Sequence, residues 1–376
     1  MKRARFAAVL AAVAGLTVGA IPSADAATAR GPVSVLVGPS WRVAYRADIA
    51  GSAAFTAIEA TSRSNAWAVG VRFHRTVLTS GFAAHWNGRR WRRTSLPVKD
   101  FVPVTVVGSS AANVWIFGYV NPPDLQLPRE GVALHLVRGH WRRVTLPPEP
   151  PGTWGMGASL MAAAFGSDEV LVSAEVPNQK GSKTRMWQWT GTNWSGSTVP
   201  GVLTSLSGPS LSNMWATTIR TFGTERTTAY RWISSTWTRQ KGLSLHDAAI
   251  AVHSRRDIWF GGYTSRQWRA GSLFYATAKH WNGKRWHRYT VVPVGGSTPL
   301  VTDGRGGVWD GPLLHETRGK WYEPASGWDF GKGCQLAGFF GGMAGIPGTS
   351  ATWAASGCTP AGSHSAQARI SINGKL

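Results

Sequence analysis

One pair of phrases constrains this chain more than anything else in it. His85-Trp86-Asn87-Gly88-Arg89-Arg90-Trp91 follows Asn65-Ala66-Trp67-Ala68-Val69-Gly70, and both return along the chain. An Asn-Gly pair between aromatic and β-branched runs predicts a tight β-hairpin, because both central residues can take the positive φ of a type I′ turn. The Trp67 position recurs at Trp115, Val170, Trp215, Trp259, Trp309 and Trp353, in steps of 48, 55, 45, 44, 50 and 44 residues. The hairpin phrase recurs with its closing Trp at Trp141, Trp194, Trp237, Trp286 and Trp321, and a seventh copy, Ser371-Ile372-Asn373-Gly374-Lys375-Leu376, stops at the turn.

Periods of about 40–50 residues are the mark of propellers and arrays. In the first repeat an inner strand is predicted over about Phe55–Thr61, a second around Trp67, a third ending at Trp86 and a fourth starting near Trp91. Four short strands per repeat, with Gly and Pro too frequent for long helices, predict an all-β, seven-bladed β-propeller of four-stranded antiparallel blades. The last repeat lacks its fourth strand, and Trp41 supplies the missing phrase. It lies 26 residues before Trp67, inside the 21 to 32 residues that separate other closing Trp residues from the next anchor. The ring is therefore expected to be closed by the N-terminal strand, which removes free sheet edges.

The chain begins with Lys2, Arg3 and Arg5, an apolar run from Phe6 to Ile21, and Ala24-Asp25-Ala26. This pattern predicts a secretory signal peptide over 1–26 and a propeller domain over 27–376, outside the cytoplasm and monomeric. The formal charge is +22, or +20 without the three bases and Asp25 of the leader, which favours polyanionic partners unless the arginines are simply solvated. Cys334 and Cys358, an isolated pair in an exported chain, are expected to form a structural disulfide.

The Asn-x-Trp-Ala-Val-Gly and His-Trp-Asn-Gly-x-x-Trp phrases resemble the Trp-rich propeller repeats of secreted bacterial proteins and, more loosely, tectonin-type lectin repeats. The resemblance spans about Trp41 to Leu376, and its tectonin side implies glycan binding. Val170 and Leu136 replace repeat tryptophans, and the sixth copy is shortened.

Motifs for phosphate loops, zinc proteases and serine hydrolases are absent from the sequence, and no cofactor is implied. His85, His135, His280 and His315 occupy equivalent places in different blades, so they read as half-buried structural imidazoles. Glu59, on an inner strand, is a candidate channel carboxylate without an evident partner. Seventeen of the 21 Trp residues fill repeat positions and are expected in inter-blade packing. Trp154, Trp268 and Trp328 fall in predicted loops of one face, with Tyr263, Arg266 and Arg269 on a loop of the same class. They form the candidate binding site, since a flat exposed ring stacks on sugars, or else they fold down to plug the channel. The opposite face carries basic hairpins. Together these features predict non-catalytic binding of an extracellular glycan or anionic cell-wall polymer. The alternatives are a propeller lyase or glycoside hydrolase acting at the channel mouth, and a scaffold for protein partners.

Overall fold

The computed structural model describes residues 34–74, 77–120, 130–148, 160–174, 183–220, 226–241, 243–268, 271–290, 300–326, 334–360, 362–363 and 365–376. Strands β1 (Val35–Gly38) and β2 (Arg42–Arg46) come first. Blade 1 is β3 (Ser52–Ser62), β4 (Asn65–His74), β5 (Val77–Trp86) and β6 (Trp91–Thr94). Blade 2 is β7 (Phe101–Ser110), β8 (Asn113–Val120), β9 (Glu130–Val137) and β10 (His140–Val144). Blade 3 is β11 (Ala162–Phe165), β12 (Glu169–Ala174), β13 (Lys183–Thr190) and β14 (Trp194–Pro200). Blade 4 is β15 (Val202–Ser207), β16 (Trp215–Ile219), β17 (Thr228–Ile233) and β18 (Thr236–Gln240). Blade 5 is β19 (His246–Ser254), β20 (Asp257–Trp268), β21 (Gly271–Trp281) and β22 (Trp286–Thr290). Blade 6 is β23 (Leu300–Thr302), β24 (Val308–Asp310), β25 (Leu314–Thr317) and β26 (Lys320–Pro324). Blade 7 is β27 (Cys334–Gly345), β28 (Thr352–Pro360) and β29 (Gln367–Asn373), completed by β2.

Each blade is an antiparallel sheet in sequence order from the inner strand outward. The inner strands β3, β7, β11, β15, β19, β23 and β27 touch in turn, and β27 meets β3 again. The chain is thus a seven-bladed β-propeller whose ring is shut by β2 pairing with β29, Arg42 opposite Ile372 and Arg46 opposite Arg369. The sequence did not announce β1, which pairs in parallel with β26 as a fifth, outermost strand of blade 6. Its Val-Leu-Val-Gly carries no repeat phrase, and Leu36 and Val37 remain exposed at the edge.

A four-stranded sheet with apolar side chains on both faces must bury both against neighbours. Each of the seven blade interfaces holds its own apolar cluster. In five of them the anchor Trp of one blade meets the closing Trp of the next: Trp67 with Trp141 at 5.1 Å, Trp115 with Trp194 at 6.2 Å, Trp259 with Trp321 at 6.2 Å, Trp309 with Trp41 at 5.2 Å and Trp353 with Trp91 at 5.3 Å. Trp41 therefore does for blade 7 what the closing Trp does elsewhere, and its indole N–H also donates to the Pro312 carbonyl at 2.9 Å.

The hairpin turns depart from expectation in an instructive way. In the Asn-Gly turns of blades 1 and 5 only Gly88 and Gly283 have positive φ, so these are not type I′ turns. They are four-residue loops in which the Asn87 and Asn282 side chains accept the backbone N–H of Arg89 and Arg90, and of Lys284 and Arg285. A Cβ at Gly88 would meet Ser64 Cβ at 2.9 Å and one at Gly283 would meet Arg256 Cβ at 2.7 Å, so glycine lets this loop rest on the turn beneath. Two-residue turns with both φ positive occur instead at Arg138-Gly139, Ser234-Ser235 and Arg318-Gly319.

Cys334 opens β27 and the buried Cys358 lies in the antiparallel neighbour β28. Among the described residues no helix is long and apolar enough to cross a membrane. Residues 1–26 lie outside the described residues.

Trp41→Ala removes a ring that is 3 % exposed together with its hydrogen bond. Loss of about 3–5 kcal/mol is expected in a urea titration, as for other fully buried aromatics.

Candidate functional site

The turns joining first to second strands and third to fourth strands emerge on one face, called here the hairpin face, and every one of them is described. The repeat histidines lie just beneath it. Each stacks flat on its anchor Trp: His85 on Trp67 at 4.2 Å, His135 on Trp115 at 4.0 Å, His280 on Trp259 at 3.9 Å and His315 on Trp309 at 4.3 Å. The other edge of the ring reaches an Asn or Asp at the first turn. His85 Nε2–H donates to Asn65 Oδ1 at 2.8 Å, His280 Nε2 bonds Asp257 at 2.8 Å and His315 Nε2 bonds Asp303 at 2.9 Å. His135 Nε2 lies 3.4 Å from Asp168 of the next blade. The Asn of the Asn-x-Trp phrase thus fastens a turn: Asn113 Nδ2 reaches the Phe165 and Glu169 carbonyls of blade 3 while its Oδ1 accepts the Trp115 indole N–H at 2.7 Å.

This arrangement sorts the charges of the face. Ten cations of its turns are exposed: Arg63, Arg89 and Arg90 in blade 1, Arg138 in blade 2, Arg255, Arg256, Lys284 and Arg285 in blade 5, and Arg305 and Arg318 in blade 6. Among the described residues none of the ten has a carboxylate within ion-pair reach. The carboxylates of the same turns and strand ends, Asp168, Glu169, Asp257, Asp303 and Glu316, are buried or half-buried. Three face the histidines, and Glu316 accepts the Gly319 N–H at 2.6 Å.

Trp286 stands beside Lys284 and Arg285 in the hairpin of blade 5. At the blade 4–5 interface the Trp–Trp contact of those five interfaces is replaced. Trp215 meets Phe260 edge-on at 6.0 Å and carries the Arg231 guanidinium 5.7 Å above its ring, Arg231 standing opposite Trp215 where blades 1, 2, 5 and 6 have His. Trp286 rests on Phe260 and Trp281 and stays 47 % exposed. It was expected in inter-blade packing with the other closing tryptophans. Loss of the repeat His does not by itself mark such exposure, because blade 7 has Ile372 in that place and Trp91 against its anchor stays buried. Beside it Asn282 Nδ2 and His287 Nε2 lie 2.9 Å apart.

The loop-face residues singled out from the sequence are placed differently. Trp154, Trp328 and Arg269 lie outside the described residues. Tyr263, Arg266 and Trp268 are not in a long loop but on β20, paired with Ala276, Leu273 and Gly271 of β21. The alternating, β-favouring segment Tyr263–Trp268 faces Leu273-Phe274-Tyr275-Ala276 and extends the hairpin, where the repeat spacing alone suggested a loop. Tyr263 is half-buried. A cleft of about 350 Å³ opens on this face at the closure seam, lined by Arg46, Asp48, Ile49, Pro360, Ser363 and Gln367 among others.

Glu59 pairs with Trp67 on the inner strand of blade 1. The residues at the same level of the other inner strands are Val107, Ala164, Ser207, Ala251, Val301 and Ala344. A single carboxylate stands in a ring of small or apolar side chains. Burial pushes its pKa up to about 8, against one hydrogen bond from the Ala60 N–H. Burial likewise pushes Glu316 up to about 7. Burial also acts to raise Asp303, but His315 and the N–H groups of Arg305 and Gly307 outweigh it and hold the carboxyl below its usual value. Burial lowers His85 and His135. Among the described residues no group of three or more His, Cys, Asp or Glu is arranged to hold a metal ion.

No protein-family model matches the chain, and no curated protein matches it in sequence. Solved structures do. A polysaccharide lyase, Uly1, superposes with a TM-score of 0.54 at 8 % identity, covering 90 % of this chain and 93 % of that one. The propeller domain of the Trilobed protease from Pyrococcus furiosus, described as having an open velcro topology, gives 0.52 at 10 % identity over 87 % and 95 %. The SapL1 lectin, solved with alpha methyl fucoside, gives 0.42 at 13 % identity over 70 % and 98 %. At such identities the likeness shows the fold alone.

A carboxyl whose folded pKa is raised stabilises the fold below its unfolded pKa, and that contribution is lost as pH rises through the folded value. Relative to wild type, Glu59→Gln is therefore expected to gain stability progressively from about pH 4.5 to about 8 and to hold a constant advantage above it. Urea midpoints measured across that range for both proteins check this; a difference that does not change with pH would overturn the buried-acid assignment.

Proposed function

We propose that this protein is a non-catalytic binding protein for an anionic extracellular polymer, an acidic glycan of the cell-wall type, and that it docks the polymer on its hairpin face after export. The carrying observation is the sorted charge of that face: ten exposed cations without ion-paired carboxylates, above acids that are buried or half-buried. Cations spread over blades 1, 2, 5 and 6 suit an extended chain of charges rather than one small anion, and such attraction is long-ranged and weakened by salt. Trp286 supports a glycan in particular. A half-exposed ring beside Lys284, Arg285 and His287 offers an apolar surface on which the face of a sugar can lie while its acid group meets a guanidinium.

Retention on an acidic polysaccharide, with polyphosphate as a matrix that has charge but no rings, tests this. Replacing Arg89, Arg90, Lys284 and Arg285 with Gln is expected to weaken retention on both matrices about tenfold or more and to flatten the salt dependence. Trp286→Ala is expected to weaken retention on the polysaccharide by about fivefold or more and leave polyphosphate unchanged. A Trp154→Ala/Trp268→Ala/Trp328→Ala variant that alone loses the polysaccharide would move the site to the loop face.

A further inference from the structure

The first-to-second-strand turns form a circle around the hairpin-face mouth of the channel, and several are hydrogen-bonded from blade to blade. Ser109 Oγ–H donates to the Gly166 carbonyl at 2.8 Å, Arg255 donates to Ser212 Oγ at 3.1 Å, and the Gly348 N–H donates to the Gly304 carbonyl at 3.1 Å. These contacts join neighbours two at a time. At the turn of blade 7 the pattern changes. The Gly348 carbonyl oxygen accepts Arg63 Nη2–H from blade 1 at 2.7 Å and Arg305 Nε–H from blade 6 at 3.1 Å. Two full positive charges from the two flanking blades converge on one neutral acceptor, their donating nitrogens separated by about 6 Å or less, a distance at which like charges repel.

Nothing negative among the described residues compensates that pair. Neither arginine has a carboxylate within ion-pair reach. The nearest carboxylate in sequence, Asp303 in the turn of Arg305, is buried and already accepts the Arg305 and Gly307 N–H groups and bonds His315. Both arginine side chains are exposed, and a guanidinium has five N–H donors, of which the Gly348 carbonyl takes one from each. Each guanidinium keeps further N–H donors, and a guanidinium fork matches the oxygens of sulfate, phosphate or a carboxylate.

We propose that Arg63 and Arg305, gathered at the Gly348 carbonyl, form an oxyanion-binding site whose occupation ties blade 6 to blade 1 across the closing blade. Blade 7 is where the circle is completed by β2, a strand from the far end of the chain, so an anion bridging its two neighbours acts on ring closure itself. A ligand that binds only the closed ring stabilises it by mass action. The site does not depend on the polymer reading above, because a free inorganic ion suffices to fill it. The same chemistry also fits an acid group carried on a glycan.

The test follows thermal unfolding of the whole chain during titration with sodium sulfate at low millimolar concentration, ionic strength being held constant with sodium chloride, and in parallel with a short oligogalacturonate. The wild-type midpoint is expected to rise saturably, by about 2 °C or more, with at least one of the two. A response to sulfate alone marks a site for a free ion, and one to the oligogalacturonate alone marks a polymer-borne carboxylate. The response is expected to vanish in Arg63→Gln/Arg305→Gln and to persist in Arg255→Gln/Arg256→Gln, which removes as much charge from the same face. Should the first double variant not fold, Arg63→Lys and Arg305→Lys singly keep the charge but lose the fork, and each is expected to weaken the response. No saturable rise with either anion in the wild type, or an equal rise in a folded Arg63/Arg305 variant, would overturn the site. Retention of the same proteins on acidic polysaccharide separates the two proposals: retention without an anion response refutes this site alone, and an anion response without retention refutes the polymer reading alone.

Discussion

The structure depends on an edge-to-face contact between two indoles from adjacent blades. A blade has no core of its own; its two apolar faces become interior only when both neighbours are present. The anchor Trp projects from the second strand and the closing Trp from the start of the fourth, so the contact fixes each sheet against the next at the hairpin end. The contact has a cost, since the indole N–H groups of Trp67, Trp91, Trp259, Trp309, Trp321 and Trp353 are buried without a hydrogen-bond acceptor. Indole edges set against ring faces, as in the steep contacts of Trp67 with Trp141 and of Trp259 with Trp321, offset part of that cost. The same contact explains the closure. Trp41 comes from outside the repeats in sequence, yet it enters the slot beside Trp309 that the interface requires.

The charge of the hairpin face follows from this packing. A flat ring laid on the anchor Trp of blades 1, 2, 5 and 6 covers its remaining face, and histidine adds a polar edge that must be satisfied near the surface. In blades 5 and 6 an aspartate does so, Asp257 and Asp303, and each is a negative charge drawn beneath the surface. The turns above keep their arginines and lysines without matching acids. Surface potential and core packing are here two sides of one repeat module, which is why the basic turns cluster in blades 1, 2, 5 and 6, the same blades that carry the histidines. Blade 4 shows the converse: Arg231 takes the place of the ring over Trp215, and the closing Trp286 of its neighbour stays half outside.

The period of the tryptophans made the fold class, the number of blades and the closing strand legible, because each of these is set by a contact between residues at fixed spacing. Strand limits in the first repeat followed as well, from Trp86 and Trp91 flanking the hairpin. Three features were not legible for stated reasons. Strand β1 carries no repeat residue and joins blade 6 through backbone pairing with β26 and the packing of Val35. The Asn-Gly loops are not type I′ because the Asn side chain caps two N–H groups and the loop must rest on the turn below. Tryptophans outside the repeat pointed to the loop face, whereas the exposed one among the described residues, Trp286, is a repeat position that rests on Phe260 and Trp281 and not on the anchor Trp215.

The protonation of two acids bears on how strongly the hairpin face attracts an anion. Formal charge counts Glu59 and Glu316 as negative, yet burial pushes one up to about 8 and the other to about 7. Glu59 is paired with Trp67, only a few residues before the first turn, and Glu316 lies directly beneath the Arg318-Gly319 turn. Well below neutral pH both carry a proton, so Glu59 and Glu316 add no negative charge behind their turns, while Asp303 of blade 6 stays ionised. The face is then more positive than the sequence sum suggests. As pH rises through those values, two negative charges appear behind the same turns in a medium that screens them poorly, and the potential at the mouth falls while every arginine keeps its charge. Burial in the propeller core thereby sets the strength of the surface field, without any change in the surface residues themselves.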